Sequence, residues 1–134
     1  HRESFIKLVE DHIDILFANE DEITNLYETS SLSKALEKLK KKCDLAAITI
    51  GEKGSILISN GKEINIDPFI LGKAIDTTGA GDLYAGGFLK GLADGLKPEL
   101  SAKIGSICAG QIVTQLGSRS NTDLLNLVSS HLKP

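Results

Sequence analysis

The sequence DTTGAGD occupies residues 76–82 and leads directly into an apolar-striped segment, residues 83–93. Gly79 and Gly81 lack a Cβ atom, so a ligand can approach the main chain closely here. If a helix begins at this point, its first N–H groups have no partner within the helix and form a pocket for a phosphate. Asp82 would lie at the mouth of that pocket, where its carboxylate can accept a proton from a hydroxyl. The stretch therefore predicts an anion-binding helix start beside a general base.

Apolar periodicity on both sides of this motif predicts strands and helices, followed by a hairpin and further helices, which is typical of α/β architecture. Asn60-Gly61 between two short apolar runs predicts a β-hairpin. Gly95 and Pro98 predict the end of one helix and the start of the next. The predicted strands are residues 13–18, 45–50, 55–59 and 63–66. The predicted helices are residues 3–11, 31–42, 79–94, 98–117 and 124–128.

The helix after the motif carries an apolar stripe and a pair of glycines. Gly86 and Gly87 each lower helix propensity by about 1 kcal/mol relative to alanine. We therefore expect the pair to allow close packing of this helix against the sheet. The predicted stripe is Tyr84, Ala85, Phe88, Leu89 and Leu92.

DTTGAGD followed by LYAGGF at residues 83–88 resembles the second signature of the ribokinase-like carbohydrate kinases, also called the phosphofructokinase-B family. The resemblance covers the chain from Asp14 to about Leu132. Within the family, the chain is most similar to the adenosine-kinase-like branch. The stretches that carry this similarity are FANEDE at residues 17–22, IDTTGAGDLYAGGF at 75–88 and QLGSR at 115–119.

This resemblance implies a fold and an activity. The expected fold is α/β, the C-terminal part of a ribokinase-like three-layer sandwich with a mostly parallel central sheet. Residues 1–134 would form the C-terminal ATP-binding and catalytic part of a larger kinase domain, without its N-terminal substrate and lid part. The implied activity is ATP-dependent transfer of the γ-phosphate to a hydroxyl of a sugar or nucleoside. Because the other half would hold most sugar contacts, the chain by itself is expected to be inactive.

The resemblance also implies roles for the residues of the motif. Asp82 matches the family's catalytic base, which deprotonates the acceptor hydroxyl. The amides of Gly79, Ala80 and Gly81 match the anion hole, whose fixed dipoles steady the transferring phosphoryl group. Spacing alone leaves open a capped helix start that binds no ligand.

Asn19-Glu20-Asp21-Glu22 has the form N-x-x-E and is similar to a second family motif that acts near magnesium and the phosphates. By this match Asn19 lies near the nucleotide and Glu22 binds Mg²⁺ through water. Magnesium prefers oxygen ligands and keeps several waters, so this pair is reasonable chemistry. The structural alternative is an acidic helix N-terminus favoured by the helix dipole. Both can hold at once.

The stretch TIGEKG at residues 49–54 resembles the family's T-x-G-x-x-G loop, which runs along the nucleotide. Thr49, Gly51 and Gly54 are the matching positions. It is not a Walker loop, because no lysine-serine pair follows the second glycine. A plain tight turn is the alternative explanation of the two glycines.

Two further sites follow from the resemblance. Asp76 and Thr78 supply oxygens to a monovalent cation in some relatives, and residues 113–117 would have to complete that site through carbonyl groups. Ser106 and Ala109 could border the adenine, with ordinary helix packing as the alternative. The expected cofactors are therefore ATP and Mg²⁺, with K⁺ left open.

The composition excludes several classes of protein. The chain has 134 residues, 41% of them apolar and 25% charged, with a net charge of −3. This balance gives no reason to expect nucleic acid or an anionic membrane as a partner. No stretch approaches the eighteen or so apolar residues of a membrane helix. Nothing resembles a signal peptide, so a cytoplasmic location is expected.

Cysteine and methionine usage supports the same interpretation. Cys43 and Cys108 lie in apolar surroundings, which predicts buried free thiols in a reducing compartment. The sequence contains no methionine, so we expect it to be part of a longer product. The expected partner is a small-molecule sugar or nucleoside, and a homodimer is left open.

Two other functions were weighed against a kinase. A non-catalytic relative that binds a nucleotide or sugar for sensing or assembly would not need the carboxylates and anion-hole residues that this chain retains. A dinucleotide-binding oxidoreductase would need a third glycine, but Tyr84 occupies that position. The kinase is the favoured function.

Overall fold

The computed structural model describes residues 1–117 and 119–132, which divide into two compact units, His1–Asn65 and a second that begins at Ile66. The helices of the first unit are α1 (Arg2–Asp11), α2 (Glu20–Leu26) and α3 (Leu32–Leu39). The strands are β1 (Leu16–Asn19), β2 (Leu45–Thr49), β3 (Ser55–Ser59) and β4 (Lys62–Ile66). The helices of the second unit are α4 (Ala80–Ala93), α5 (Pro98–Ile112) and α6 (Leu124–His131).

The four described strands form one mixed sheet in the order β1-β2-β3-β4. β1 pairs with β2 in parallel, because α2 and α3 lie between them in sequence and return the chain to the starting edge. β2 and β3 are antiparallel, since only a short 3₁₀ turn, Gly51–Lys53, connects them. The α/β fold class is thus confirmed, whereas the mostly parallel sheet is not confirmed by these pairings.

The turn between β3 and β4 follows its local sequence. Asn60 and Gly61 have φ values of 50° and 78°. Two successive positive φ angles are what a two-residue hairpin turn with the right twist requires. The predicted hairpin is therefore confirmed.

One hydrophobic core lies within the first unit. Helix α3 buries Ala35, Leu36 and Leu39 on one face, as its apolar spacing predicts. These side chains belong to the same cluster as Ile23 of α2 and Ile48 of β2, which are also fully buried. Burying each large apolar side chain contributes about 1.5–3 kcal/mol. The core therefore fixes α2 and α3 relative to the strands.

In the second unit, α4 packs closely on α5 through glycines. A Cβ at Gly87 would lie 3.0 Å from Cys108 Sγ, and one at Gly91 would lie 2.6 Å from Ser101 Oγ. Gly86 has no such neighbour within 4 Å. Of the pair Gly86 and Gly87, only Gly87 makes a close contact, and its nearest neighbours belong to α5.

The predicted stripe of α4 is correct for Tyr84 and Phe88, which are buried with their rings stacked at 6.4 Å between centroids. It is wrong for Leu89, whose side chain is 46% exposed. Gly87 and Gly91 occupy the buried face instead. The spacing of apolar side chains cannot predict a buried helix face that is formed by glycines, because glycine has only a hydrogen atom as its side chain.

Other boundaries differ modestly from the prediction. The strand expected at residues 13–18 begins only at Leu16, and α2 was not predicted as a separate helix. The helix expected to reach residue 117 ends at Ile112, followed by tighter turns in which Thr114 N–H donates to the Gln111 carbonyl at 3.1 Å. Cys43 and Cys108 are buried free thiols, as expected. Within the described part of the chain, no helix has the length and apolar character needed to span a bilayer.

Candidate active site

Helix α4 begins immediately after Gly79, whose φ of 80° and ψ of 0° lie in the left-handed region that favours glycine. No side chain caps this helix. Ala80 N–H donates to the Thr77 carbonyl oxygen at 3.2 Å. Gly81 and Asp82 lie in the first turn, where N–H groups have no acceptor within the helix. The start of α4 therefore presents backbone donors and the positive end of the helix dipole to an anion.

The approach to these donors is open. Gly81 is exposed, and a Cβ there would meet no heavy atom within 4 Å outside its chain neighbours and its own helix. The Asp82 side chain is exposed in the same turn and makes no hydrogen bond or ion pair with the described residues. Its carboxylate is thus free to accept a proton from a hydroxyl held at this end of α4.

Asp76 anchors the start of the motif. Its Oδ1 accepts from Thr78 N–H at 2.9 Å and from Thr78 Oγ1 at 2.6 Å, and its Oδ2 accepts from Gly117 N–H at 3.0 Å. These bonds favour the charged carboxylate, so the Thr78 hydroxyl first, and then the Gly117 amide, lower the pKa of Asp76. The Val113 carbonyl, at the end of α5, accepts from the N–H groups of Ile75 and Asp76 at 2.7 and 3.2 Å. The loop that precedes α4 is therefore tied to the end of α5.

In the first unit, Asn19 and Glu22 form a reciprocal cap at the start of α2. Asn19 Oδ1 accepts from Glu22 N–H at 2.8 Å, and Glu22 Oε2 accepts from Asn19 N–H at 2.8 Å. This is a capping box, which satisfies two otherwise unpaired donors. The structural alternative for N-x-x-E is thus confirmed, and the role of Glu22 at Mg²⁺ stays a prediction.

Thr49 lies directly opposite Asn19, because the two residues are register partners at the carboxyl ends of β2 and β1. The glycines that follow form a closed turn in which Ile50 N–H donates to the Gly54 carbonyl at 2.9 Å. Gly51 and Gly54 have φ values of 62° and 98°, which explains why both are glycine. The first unit therefore brings Asn19, Glu22 and Thr49 together at one edge of its sheet, where ligands of α/β proteins collect.

Comparison with known proteins identifies the chain's relatives. The family described as "pfkB family carbohydrate kinase" matches residues 2–124. The chain belongs to this family. A crystal structure of adenosine kinase from Sinorhizobium meliloti is 38% identical, with a TM-score of 0.92, over 98% of this chain and 40% of that one.

Two curated relatives support the same membership. The nucleoside kinase of Methanocaldococcus jannaschii is 30% identical over 98% of this chain and 43% of its own length. The ribokinase of Lactococcus lactis is 29% identical over 92% of this chain and 40% of its own length. The pfkB-family chain thus spans about two fifths of the length of these relatives. Its likeness to an adenosine kinase agrees with the branch that the sequence resembles most.

In this pfkB-family chain, Ser106 and Ala109 lie three residues apart on α5, so they share a face of the helix. Ser106 is buried, and its Oγ has no hydrogen-bond partner among the described residues. Ala109 is half-buried. A buried hydroxyl without a partner is unfavourable unless a ligand or water supplies one. The contact with adenine stays a prediction.

The hydrogen bonds of Asp76 limit how many of its oxygen lone pairs remain to bind the expected monovalent cation. Three of roughly four acceptor positions of its carboxylate are already in use. Residues 113–117 bind the start of the motif through the Val113 carbonyl, which accepts from Ile75 and Asp76, and through the Gly117 amide, which donates to Asp76. Carbonyl ligands for K⁺ stay a prediction. Among the residues that the structure describes, no cluster of three or more His, Cys, Asp or Glu side chains could hold a metal ion.

The sequence interpretation missed one polar residue near this site. Gln111 is buried, with 2% of its side chain exposed, and it bonds to the loop after α5. A signal was present, because Gln111 falls at a helical spacing from Ile104 and Cys108, on the apolar face of α5. A single amide on such a face indicates an internal hydrogen-bond network.

Proposed function

We propose that the chain is the ATP-binding and catalytic part of a longer pfkB-family kinase, which transfers the γ-phosphate of ATP to a hydroxyl of a sugar or nucleoside. The observation that carries this proposal is the uncapped, open start of α4 with the free Asp82 carboxylate in its first turn. Backbone donors and a base at one helix end are the two groups that phosphoryl transfer to a hydroxyl requires.

The proposed chemistry assigns one role to each group. Asp82 accepts the proton of the acceptor hydroxyl, whose oxygen bonds to the γ-phosphorus as the bond to the bridging oxygen of ADP breaks. The amides of Gly79, Ala80 and Gly81 stabilise the charge of the phosphoryl group in transit. General-base catalysis of this kind contributes about 10²- to 10⁴-fold in rate.

The remaining groups bind the nucleotide and its ions. Mg²⁺, when bound, neutralises phosphate charge, and Glu22 would hold it through water, since its Oε1 has no partner among the described residues. Asn19, Thr49, Gly51 and Gly54 would line the nucleotide. Ser106 would offer its unpaired hydroxyl near the adenine, beside Ala109.

The test is a phosphotransfer assay on the full-length protein with Mg-ATP and a panel of ribose, fructose and adenosine. We expect ADP release that depends on one of these acceptors. Asp82→Asn should keep nucleotide binding and lose about 10²- to 10⁴-fold in kcat. Asp94→Asn is the matched control, because Asp94 is an exposed aspartate just past the other end of α4, paired with Lys90.

Two outcomes would contradict the proposal. If Asp82→Asn kept more than half of the wild-type turnover, Asp82 would not be the base. If the wild-type protein bound ATP but transferred phosphate to no acceptor, a non-catalytic binding relative would be the better description.

A further inference from the structure

Gln111 is a polar side chain in the otherwise apolar last turn of α5. Its Nε2 donates to Gln115 Oε1 at 3.0 Å and to Thr122 Oγ1 at 3.2 Å, and its Oε1 accepts from Ser120 Oγ at 2.7 Å. A carboxamide has two N–H donors, so both donors of Gln111 have partners. A buried amide that is fully paired is tolerated, whereas leaving it unpaired is unfavourable.

All three partners lie in the α5–α6 loop, which we define as residues 115–117 and 119–122. The loop also bonds to itself around the same side chain. Asn121 N–H donates to Gln115 Oε1 at 3.0 Å, and the Gln115 amide nitrogen donates to the Arg119 carbonyl. Ser120 Oγ accepts from Thr122 N–H at 3.1 Å. The loop is therefore folded over the Gln111 carboxamide.

The same loop contacts the phosphate-binding motif. Gly117 N–H donates to Asp76 Oδ2 at 3.0 Å, across 41 residues of sequence. Asp76 in turn accepts from both the N–H and the hydroxyl of Thr78, the residue before Gly79. Two sets of hydrogen bonds thus meet in this loop: one holds Gln115, Ser120 and Thr122 to Gln111, and the other holds Gly117 to Asp76. The backbone of residues 115–117 connects the two sets.

We propose that Gln111 is a positioning residue: it holds the α5–α6 loop so that Gly117 N–H binds the Asp76 carboxylate and fixes the motif before the anion-binding amides. This inference rests on the proposed function, because Asp76 begins the motif that ends at Asp82. It assigns Gln111 no contact with substrate. Gln111 affects turnover by fixing the orientation of the 76–79 loop. A small misplacement of binding groups lowers the rate strongly.

The test uses two variants of the full-length protein, Gln111→Leu and Ser120→Ala. Leucine keeps most of the buried volume and removes every hydrogen bond of the carboxamide. Ser120→Ala removes, from a half-buried position, the hydroxyl that binds Gln111 Oε1 and the backbone of Thr122, and it leaves the Gln111 side chain in place, so it carries less risk for folding. We expect the Gly117 amide to exchange hydrogen about five- to tenfold faster in Gln111→Leu, the ratio for the loss of about one hydrogen bond, and less so in Ser120→Ala.

Ile112→Val is the matched control: it removes a methyl group from the neighbouring, fully buried residue of the same helix turn and leaves the carboxamide in place. It should lower global stability without changing the exchange of the Gly117 amide.

Hydrogen exchange at Gly117 needs no turnover, so it decides the inference even if the proposed kinase activity fails. Where activity is present, Gln111→Leu should lower kcat several-fold and leave KM for the acceptor within about twofold, since the base and the acceptor site are untouched. Unchanged exchange of the Gly117 amide in either folded variant would overturn the inference. If Gln111→Leu does not fold, Ser120→Ala alone decides it.

Discussion

The starts of α2 and α4 are both rich in groups that could bind a ligand, yet they differ in whether side chains cap the helix. At α2, the Asn19 side chain and the Glu22 side chain each bind the other residue's N–H at 2.8 Å. At α4, the residue before the helix is Gly79, which has no side chain to offer, and no cap is present. Side chains of its own sequence cap the start of α2, whereas the start of α4 has no side-chain cap.

The difference shows how to distinguish a capping role from a ligand-binding role for a motif at a helix end. A side-chain cap contributes about 1 kcal/mol to stability, and a helix that lacks one retains free donors in its first turn. At α4 the missing cap coincides with the exposed carboxylate of Asp82 and with an unobstructed approach at Gly81. At α2 the same residues that resemble a binding motif already have a structural role.

The largest effect is expected from filling the open start of α4. Gly81→Ala adds a methyl group where nothing lies within 4 Å, so the fold should accept it. The methyl would stand among the amides that we propose bind the phosphoryl group and would displace that group, which we expect to lower kcat/KM for ATP by roughly 10²-fold. Steady-state kinetics and thermal unfolding of the full-length protein measure the two effects separately.

Gly86→Ala is the matched control for that substitution. It lies on the same helix, also without a neighbour within 4 Å, but one turn further along. It should leave kinetics unchanged and stabilise the protein by about 0.5–1 kcal/mol, the difference in helix propensity. Equal kinetics for the two variants would mean that the start of α4 does not bind the phosphates.

A smaller effect is expected at the closed start of α2. Glu22→Gln keeps a group that can accept from Asn19 N–H, because glutamine also forms capping boxes. It removes the negative charge that a magnesium ion or its waters would bind. We expect nearly unchanged stability and a several-fold higher Mg²⁺ concentration for half-maximal rate. Magnesium curves that superimpose on those of the wild type would leave Glu22 with the capping role alone.

The smallest effect is expected from the cap itself. Asn19→Ala removes the bond to Glu22 N–H and should destabilise the protein by about 1 kcal/mol. Asn19→Ser restores a capping oxygen but not the amide, so chemical denaturation should show stability close to that of the wild type. If Asn19→Ser recovers stability but not the affinity for ATP, the amide also contacts the nucleotide. Recovery of both would limit Asn19 to the cap.

Features of the fold that depend on local chemistry could be predicted from the sequence. The turn at Asn60-Gly61 needs positive φ at both positions, and asparagine and glycine adopt positive φ with little backbone strain. The buried face of α3 follows from its apolar spacing. The face of α4 could not be read in this way, because Gly87 and Gly91 are buried through the close approach of another helix backbone. That approach depends on α5 and leaves no apolar pattern in α4.

The same limit applies to the candidate site. The DTTGAGD motif predicted where α4 begins to within one residue, since the glycines and the acidic residue act locally. The bond from Gly117 to Asp76 joins residues 41 apart in sequence, and the network of Gln111 surrounds a loop of mixed polar residues. The position of Gln111 on an apolar helix face signals that it has partners, but residue types do not identify them, because hydrogen-bond partners across a loop depend on the path of the loop.

The close contact of α4 and α5 also limits which substitutions these helices can accept during evolution. A Cβ would lie 2.6 Å from Ser101 Oγ at Gly91 and 2.7 Å from the Tyr84 carbonyl oxygen at Gly105. Every other encoded amino acid carries a Cβ, so each missense mutation in these two codons inserts an atom where none fits. Gly86, on the open side of α4, has no such constraint. We therefore expect glycine to be retained at positions 91 and 105 during evolution, whereas the residue at position 86 can vary.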